Sequence, residues 1–235
     1  MALVLLHPDP EVRKFLVYTK LYPIMKQKIT TFSIAIIASY IALQIFSDIG
    51  SLKIAAITIP FLGVQAIDGG TFLYPFTFTL RDLLHKNLGK SATRKIIILA
   101  AILNLFMAGF FWFVTALPAD NSWGLQSEFT AILGPIWQIV IASIIAEVIS
   151  ELIDTEAYSF FVRKISKKHQ WGRVLFSNAF SIPIDSLIFA FIAFTGSLPV
   201  SIIWSIVLTN VIIKFAITLI SLPSIYLSSA ESDDI

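Results

Sequence analysis

Apolar residues in this chain come in long blocks. They do not alternate with polar ones at the period of a half-buried helix or strand. Crossing roughly 30 Å of hydrocarbon takes about 20 predominantly apolar residues. Six blocks come near that length: 30–46, 54–80, 96–117, 129–150, 174–195 and 198–222. Each predicts a membrane-spanning segment. The fourth is expected to continue as a helix past the lipid, because Glu151 to Lys164 contains neither Pro nor Gly. The second is the least regular: Pro60, Gly63 and Asp68-Gly69-Gly70 interrupt it, and Pro75 follows. Such breaks are accommodated at membrane depth only where protein or water covers the freed backbone groups. The segment therefore reads as a broken helix, or as a re-entrant hairpin followed by a short span.

Composition strengthens this picture. Of 235 residues, 57% are apolar and 14% charged, with a mean hydropathy of +0.83. A soluble domain carries about 25% charged residues, and a 26.1 kDa core cannot hide the apolar excess. A soluble enzyme, a nucleic-acid-binding domain and a disordered chain are excluded as descriptions of the whole protein. The chain has no cysteine, hence no disulfide, thiol nucleophile or Cys-ligated metal. Ala2 to Leu6 is too short an apolar run for a secretory signal, which needs roughly 7–15 residues.

Net charge is only +2, but its distribution orients the spans. The N-terminal segment carries Arg13, Lys14, Lys20, Lys26 and Lys28, whereas the first connection has only Lys53. The second connection carries Arg81, Lys86, Lys90, Arg94 and Lys95, and the third, Pro118 to Glu128, carries no basic residue. The fourth has Arg163, Lys164, Lys167, Lys168 and Arg173, and the fifth, around Gly196, has none. Six spans with both termini cytoplasmic produce this alternation. The tail, with Glu231, Asp233 and Asp234, lies inside by parity. Trp112, Trp123, Trp137, Trp171 and Tyr226, near span ends, suit interfacial belts.

An ionisable group within a span costs about 2.5–3.5 kcal/mol on insertion scales, so it usually faces a cavity or a partner. Glu147, Glu151 and Asp154 fall at i, i+4 and i+7, on one helix face. In the fifth span Ser177, Ser181 and Asp185 repeat every four residues, with Asn178 and Ser186 beside them. In the sixth, Asn210, Lys214 and Thr218 do the same. Glu147, Asp185 and Lys214 share a depth between midplane and cytoplasmic surface, which permits pairing. Blander roles compete with these. Glu151, Asp154 and Glu156 are explained equally by solvation at the helix end, Asp82 by neutralising the basic loop, and Lys214 by snorkelling. Ser181 and Thr218 also suit helix–helix contact, and Phe76 and Phe78 suit packing or lipid. Asp185, midway along its span, has no such alternative.

Enzymatic signals are nearly absent. Gly89-Lys90-Ser91 resembles the end of a phosphate-binding loop, but the required glycine five positions earlier is Leu84. His7, His85 and His169 lie outside the spans without zinc-hydrolase spacing. No catalytic, metal or cofactor site is therefore expected.

The run Tyr74-Pro75-Phe76-Thr77-Phe78, with Asp82, Gly89 and Arg94 after it, resembles the queuosine precursor transporter family, also called vitamin uptake transporters. Glu151-Leu152-Ile153-Asp154, Asp185 to Phe191, and Lys214 followed by Pro223 agree in order and spacing. The match covers roughly residues 70–225. Lys86 departs from the Glu that many members carry, which makes it a poor substrate contact. The resemblance implies an all-α integral membrane protein, a bundle of six transmembrane helices similar to the substrate-binding subunits of energy-coupling-factor transporters. The spans and their orientation divide the chain into a cytoplasmic segment 1–29, a transport domain 30–225 and a short acidic cytoplasmic tail 226–235. The implied function is import of 7-deazaguanine queuosine precursors (7-cyano- and 7-aminomethyl-7-deazaguanine) across the inner membrane, with the lipid bilayer and a small-molecule base as partners and no nucleic acid. The alternative is a binding subunit of an ATP-driven uptake complex. Oligomeric state and energising partner are not readable. Candidate substrate contacts are Asp185, Asp154, Glu151, Glu147, Asn178, Lys214, Asn210, Asp82 and Phe76. A deazaguanine offers N1–H and a 2-amino group, two parallel donors that one carboxylate accepts together, and a ring face suited to aromatic stacking.

The charge pattern makes a direct prediction. Single cysteines introduced at positions 90 and 167 should resist an impermeant external thiol reagent, whereas one at 122 should react. The reverse pattern overturns the orientation.

Overall fold

A computed structural model describes residues 31–165 and 170–223. The N-terminal segment 1–29, Lys167, Lys168 and the acidic tail lie outside the described residues. Helix α1 (Thr31–Gly50) leads into an antiparallel hairpin of β1 (Ile54–Ile59) and β2 (Gly63–Asp68), then a 3-10 turn over Gly69–Phe72. There follow α2 (Tyr74–Ala116), α3 (Gln126–Leu133), α4 (Ile136–Lys164), α5 (Gln170–Phe194) and α6 (Val200–Ser221).

Among the described residues, five helical segments are long and apolar enough to cross a membrane: 31–50, 91–116, 126–164, 171–194 and 200–221. They match five of the six expected spans. The protein is an all-α integral membrane protein apart from its hairpin. The second expected span, 54–80, is not one continuous helix, and of its two expected forms the hairpin is the one present. Its first half is the hairpin, in register from Ile54 opposite Asp68 to Ile59 opposite Gly63. Its second half is the start of α2. The reason is local. Ile54, Ile57, Thr58, Ile59, Val64 and Ile67 are β-branched, and their stiff side chains suit a strand. Pro60 breaks the run, and the chain reverses through Phe61 and Gly63, both at positive φ. Asp68 then caps the 3-10 turn by accepting from Thr71 N–H. β2 is held to α6: Ala66 N–H donates to Ser205 Oγ, which donates to Gln65 Oε1.

The expected fourth span is also divided. Gly134 and Pro135 separate α3 from α4, with Pro135 as N-cap of α4. Beyond the expected lipid boundary α4 runs on to Lys164, as the absence of Pro and Gly predicted.

Burial is inverted relative to a soluble protein. Phe106, Trp112, Leu152 and Ile220 are each more than 60% exposed, and Trp123, Trp137 and Trp171 are exposed as well. The interior of α1, by contrast, holds Ser33, Tyr40, Gln44, Ser47 and Asp48. Lipid satisfies apolar side chains as well as a core does, so the polar ones are driven inward. The apolar centre joins α4, α5 and α6 through Ala142, Ala146, Ala190 and Ala193, packed with Phe189, Phe194, Ile203 and Ile206. The alanines let the helix axes approach closely.

Two glycines are conformational requirements. Gly70 presses the 3-10 turn against the end of α1, where an added Cβ would lie 2.3 Å from the Ser47 carbonyl oxygen. Gly89 divides α2 into two helices at φ 76°, ψ 167°, a region open essentially to glycine alone. There is free space around Gly89, so an Ala there is penalised by the backbone and not by a clash. Gly89→Ala should destabilise the protein by about 1–3 kcal/mol, measured as a lowered unfolding midpoint in detergent. An unchanged midpoint would show that α2 can straighten.

Candidate functional site

Polar residues meet inside the bundle because each helix carries them on one face at four-residue spacing. Tyr40, Gln44 and Asp48 follow this rule on α1, as Asp185 and its neighbours do on α5 and Asn210, Lys214 and Thr218 on α6. The 3-10 turn adds Asp68, Gly70 and Thr71, and the first turn of α2 adds Tyr74.

These elements enclose a tight polar cleft whose cavity is only about 10 Å³, room for about one water molecule, so it must widen to admit anything larger. Three carboxylates line it, Asp48, Asp68 and Asp185, with Lys214 as the single cation. Ser47, Ser51, Ser143 and Asn210 supply further polar groups, and Tyr74 and Phe189 supply ring surface. Lys214 Nζ donates to Asp185 Oδ2 at 2.6 Å, with both side chains almost wholly buried. The ammonium also lies 5.0 Å from the centroid of the Tyr74 ring, a cation–π contact. Asp185 Oδ1 accepts from Ser150 Oγ at 3.3 Å.

Asp68 is saturated. Its Oδ1 accepts from Ser51 Oγ at 2.8 Å and from Thr71 N–H at 3.2 Å. Its Oδ2 accepts from Asn210 Nδ2 at 2.8 Å. Thr71 Oγ1 lies 2.8 Å from Asp68 Oδ2 and 2.6 Å from Asn210 Oδ1, so its one proton serves either in turn. This carboxylate ties the turn to α1 and α6. Asp48 is different: Oδ1 accepts from Ser143 Oγ, but Oδ2 has no partner, nor has Ser47 Oγ beside it.

The acidic face of α4 fans out to different neighbours. Glu147 accepts from Tyr40 OH at 2.8 Å and from Gln44 Nε2 at 3.0 Å, and so faces α1. Glu151 lies 3.9 Å from the Arg81 guanidinium of α2. Asp154 accepts from Ser181 Oγ of α5 at 3.2 Å. Arg81 also sits 5.3 Å from the centroid of the Phe78 ring.

Of the nine residues expected from sequence, the cleft unites Asp185, Lys214 and Asn210. Glu147, Glu151 and Asp154 form polar layers outside its lining. Asn178 and Asp82 are half-buried and also outside it. Phe76 is 40% exposed and outside the lining, whereas Tyr74, two residues earlier, is one of the two aromatic residues in it. Sequence reasoning missed Asp48 and Asp68. Asp48 was detectable from its four-residue spacing with Tyr40 and Gln44. Asp68 was obscured because its segment reads as part of an irregular span.

The cleft is lined by three carboxylates, one ammonium and two aromatic rings, and of the carboxylates Asp48 alone keeps an oxygen without a protein donor. Residues 68–228 match the family described as "Putative vitamin uptake transporter". A "Probable queuosine precursor transporter" of Bacillus subtilis (strain 168) is 31% identical over 175 residues, covering 72% of this chain and 74% of the relative. No solved structure matches. The matched region carries α2 to α6 and two of the cleft's three carboxylates, Asp68 and Asp185. With its apolar helices and buried polar cleft, the chain belongs to this vitamin uptake transporter family and is a multi-pass membrane transporter.

Proposed function

We propose that this protein imports 7-deazaguanine precursors of queuosine across the inner membrane, with both termini cytoplasmic. The observation that carries this reading is the cleft itself. Carboxylates suit the N1–H and 2-amino donors of such a base, Lys214 suits its 6-oxo group, and Tyr74 and Phe189 suit its ring. The cationic aminomethyl analogue gains further from a cleft with three carboxylates and one ammonium. The name of the Bacillus subtilis relative supports the same substrate class.

The direct test is uptake of 7-cyano-7-deazaguanine by proteoliposomes containing only this protein. Saturable uptake, competed by the aminomethyl analogue and not by adenine, is the expected result. Binding without uptake would favour a subunit that needs an ATP-driven partner, and absence of binding would reject the substrate class.

Asp185 and Lys214 hold the cleft together through their ion pair. Breaking a buried pair by removing one partner costs on the order of 3–5 kcal/mol, because the other charge is left uncompensated. Asp185→Asn alone should therefore lower the unfolding midpoint in detergent, and Lys214→Gln added to it should restore part of the loss. Additive losses would show that the two residues act independently.

A further inference from the structure

The three carboxylates of the cleft are not equivalent, and the difference assigns a recognition residue. Asp68 has a protein donor on each oxygen, and three of its four contacts come from side chains. Asp185 accepts from the Lys214 ammonium on one oxygen, and its other oxygen is within reach of Ser150 Oγ, whose one proton is shared with the Glu147 carbonyl. Asp48 is 2% exposed, yet its Oδ2 has no donor at all. Among the described residues it is the only buried carboxylate oxygen in that condition. A buried acceptor left without a donor costs about 1–3 kcal/mol, more when it is charged, so it persists where a ligand supplies the missing donor.

We propose that Asp48, and not Asp185, is the carboxylate that accepts the paired N–H donors of the base, with Lys214 donating to the adjacent 6-oxo group. This rests on the deazaguanine reading above and specifies which groups read the substrate. Oδ2 has both lone pairs free. Oδ1 has one left after Ser143, so the two oxygens can take N1–H and the 2-amino group side by side. Lys214 gives one of its three donors to Asp185 and keeps others for a carbonyl. Asp48 and Lys214 line the same cleft, so two acceptors and one donor are available to a 2-amino-6-oxo edge. A 6-amino base presents a donor where Lys214 donates and is rejected. Ser47, whose hydroxyl also has no partner, is placed to serve a further polar atom of the ring.

The test compares two ligands, 7-cyano-7-deazaguanine and its analogue lacking the 2-amino group, binding to purified protein of verified folding. Asn in place of Asp48 keeps the volume but exchanges one acceptor for a donor, which opposes one N–H of the base. Asp48→Asn should weaken the 2-amino ligand by about 10–150-fold. Its effect on the analogue should be at least about fivefold smaller. Equal losses for both ligands, or no loss for either, would overturn the assignment. If Asp48→Asn does not fold, Asp48→Glu keeps the charge while displacing both oxygens. The preference for the 2-amino ligand should then fall, and an unchanged preference overturns the proposal. Failure of the wild type to bind either ligand rejects the substrate class itself, and the assignment with it. That outcome is distinct from wild-type binding that Asp48 does not influence.

Discussion

The ion pair between Lys214 and Asp185 is the interaction on which the interior depends. An ammonium on a lipid-crossing helix is tolerated only with a partner or a path to water, and Lys214 is 3% exposed. Its bond to Asp185 fixes α6 against α5 at one register. Ser150 extends the contact to α4, and the Tyr74 ring brings in the start of α2. Around this point the remaining polar groups arrange themselves in layers. Asp68 joins the 3-10 turn to α1 and α6, while Glu147 joins α4 to α1. Each layer satisfies charges that lipid cannot, and together they leave one narrow cleft.

Asp68 and Thr71 stand beside Asn210 on α6, and Asp68 also reaches Ser51 just after α1. Folding 54–68 back on itself pairs the facing backbone groups of the two strands, and Ser205 of α6 takes the outward Ala66 N–H. The 3-10 turn then delivers Asp68 to the cleft. Gly69 and Gly70 let this turn lie directly on α1, and so the sequence feature that spoiled a clean span is the one that builds the site.

Five spans were legible because roughly 20 apolar residues in a row have few alternatives to a membrane helix. The second was legible only as a choice between a broken helix and a hairpin, because Ile, Val and Thr serve a short strand as well as a lipid-facing helix, and period does not separate the two in a short run. Within the site, Asp185 and Lys214 stood out because nothing apolar explains them, and their bond follows from their common depth. Glu147, Glu151 and Asp154 shared a face in sequence but diverge to α1, α2 and α5, since a helix surrounded by neighbours sends adjacent parts of one face to different partners. Asp48 escaped notice near the end of its span, where a carboxylate is easily explained by solvent. Only the packing of α1 against α4 shows it buried beside Ser143.

The central claim is that the substrate sits in the cleft bounded by Asp48, Tyr74, Asp185 and Lys214. The most direct measurement is an experimental structure of the protein with 7-cyano-7-deazaguanine bound. Ligand density is expected between α1 and the Asp185–Lys214 pair, its ring against Tyr74 or Phe189. Density confined to the layer of Arg81, Glu151 and Asp154, with the cleft empty, would contradict it.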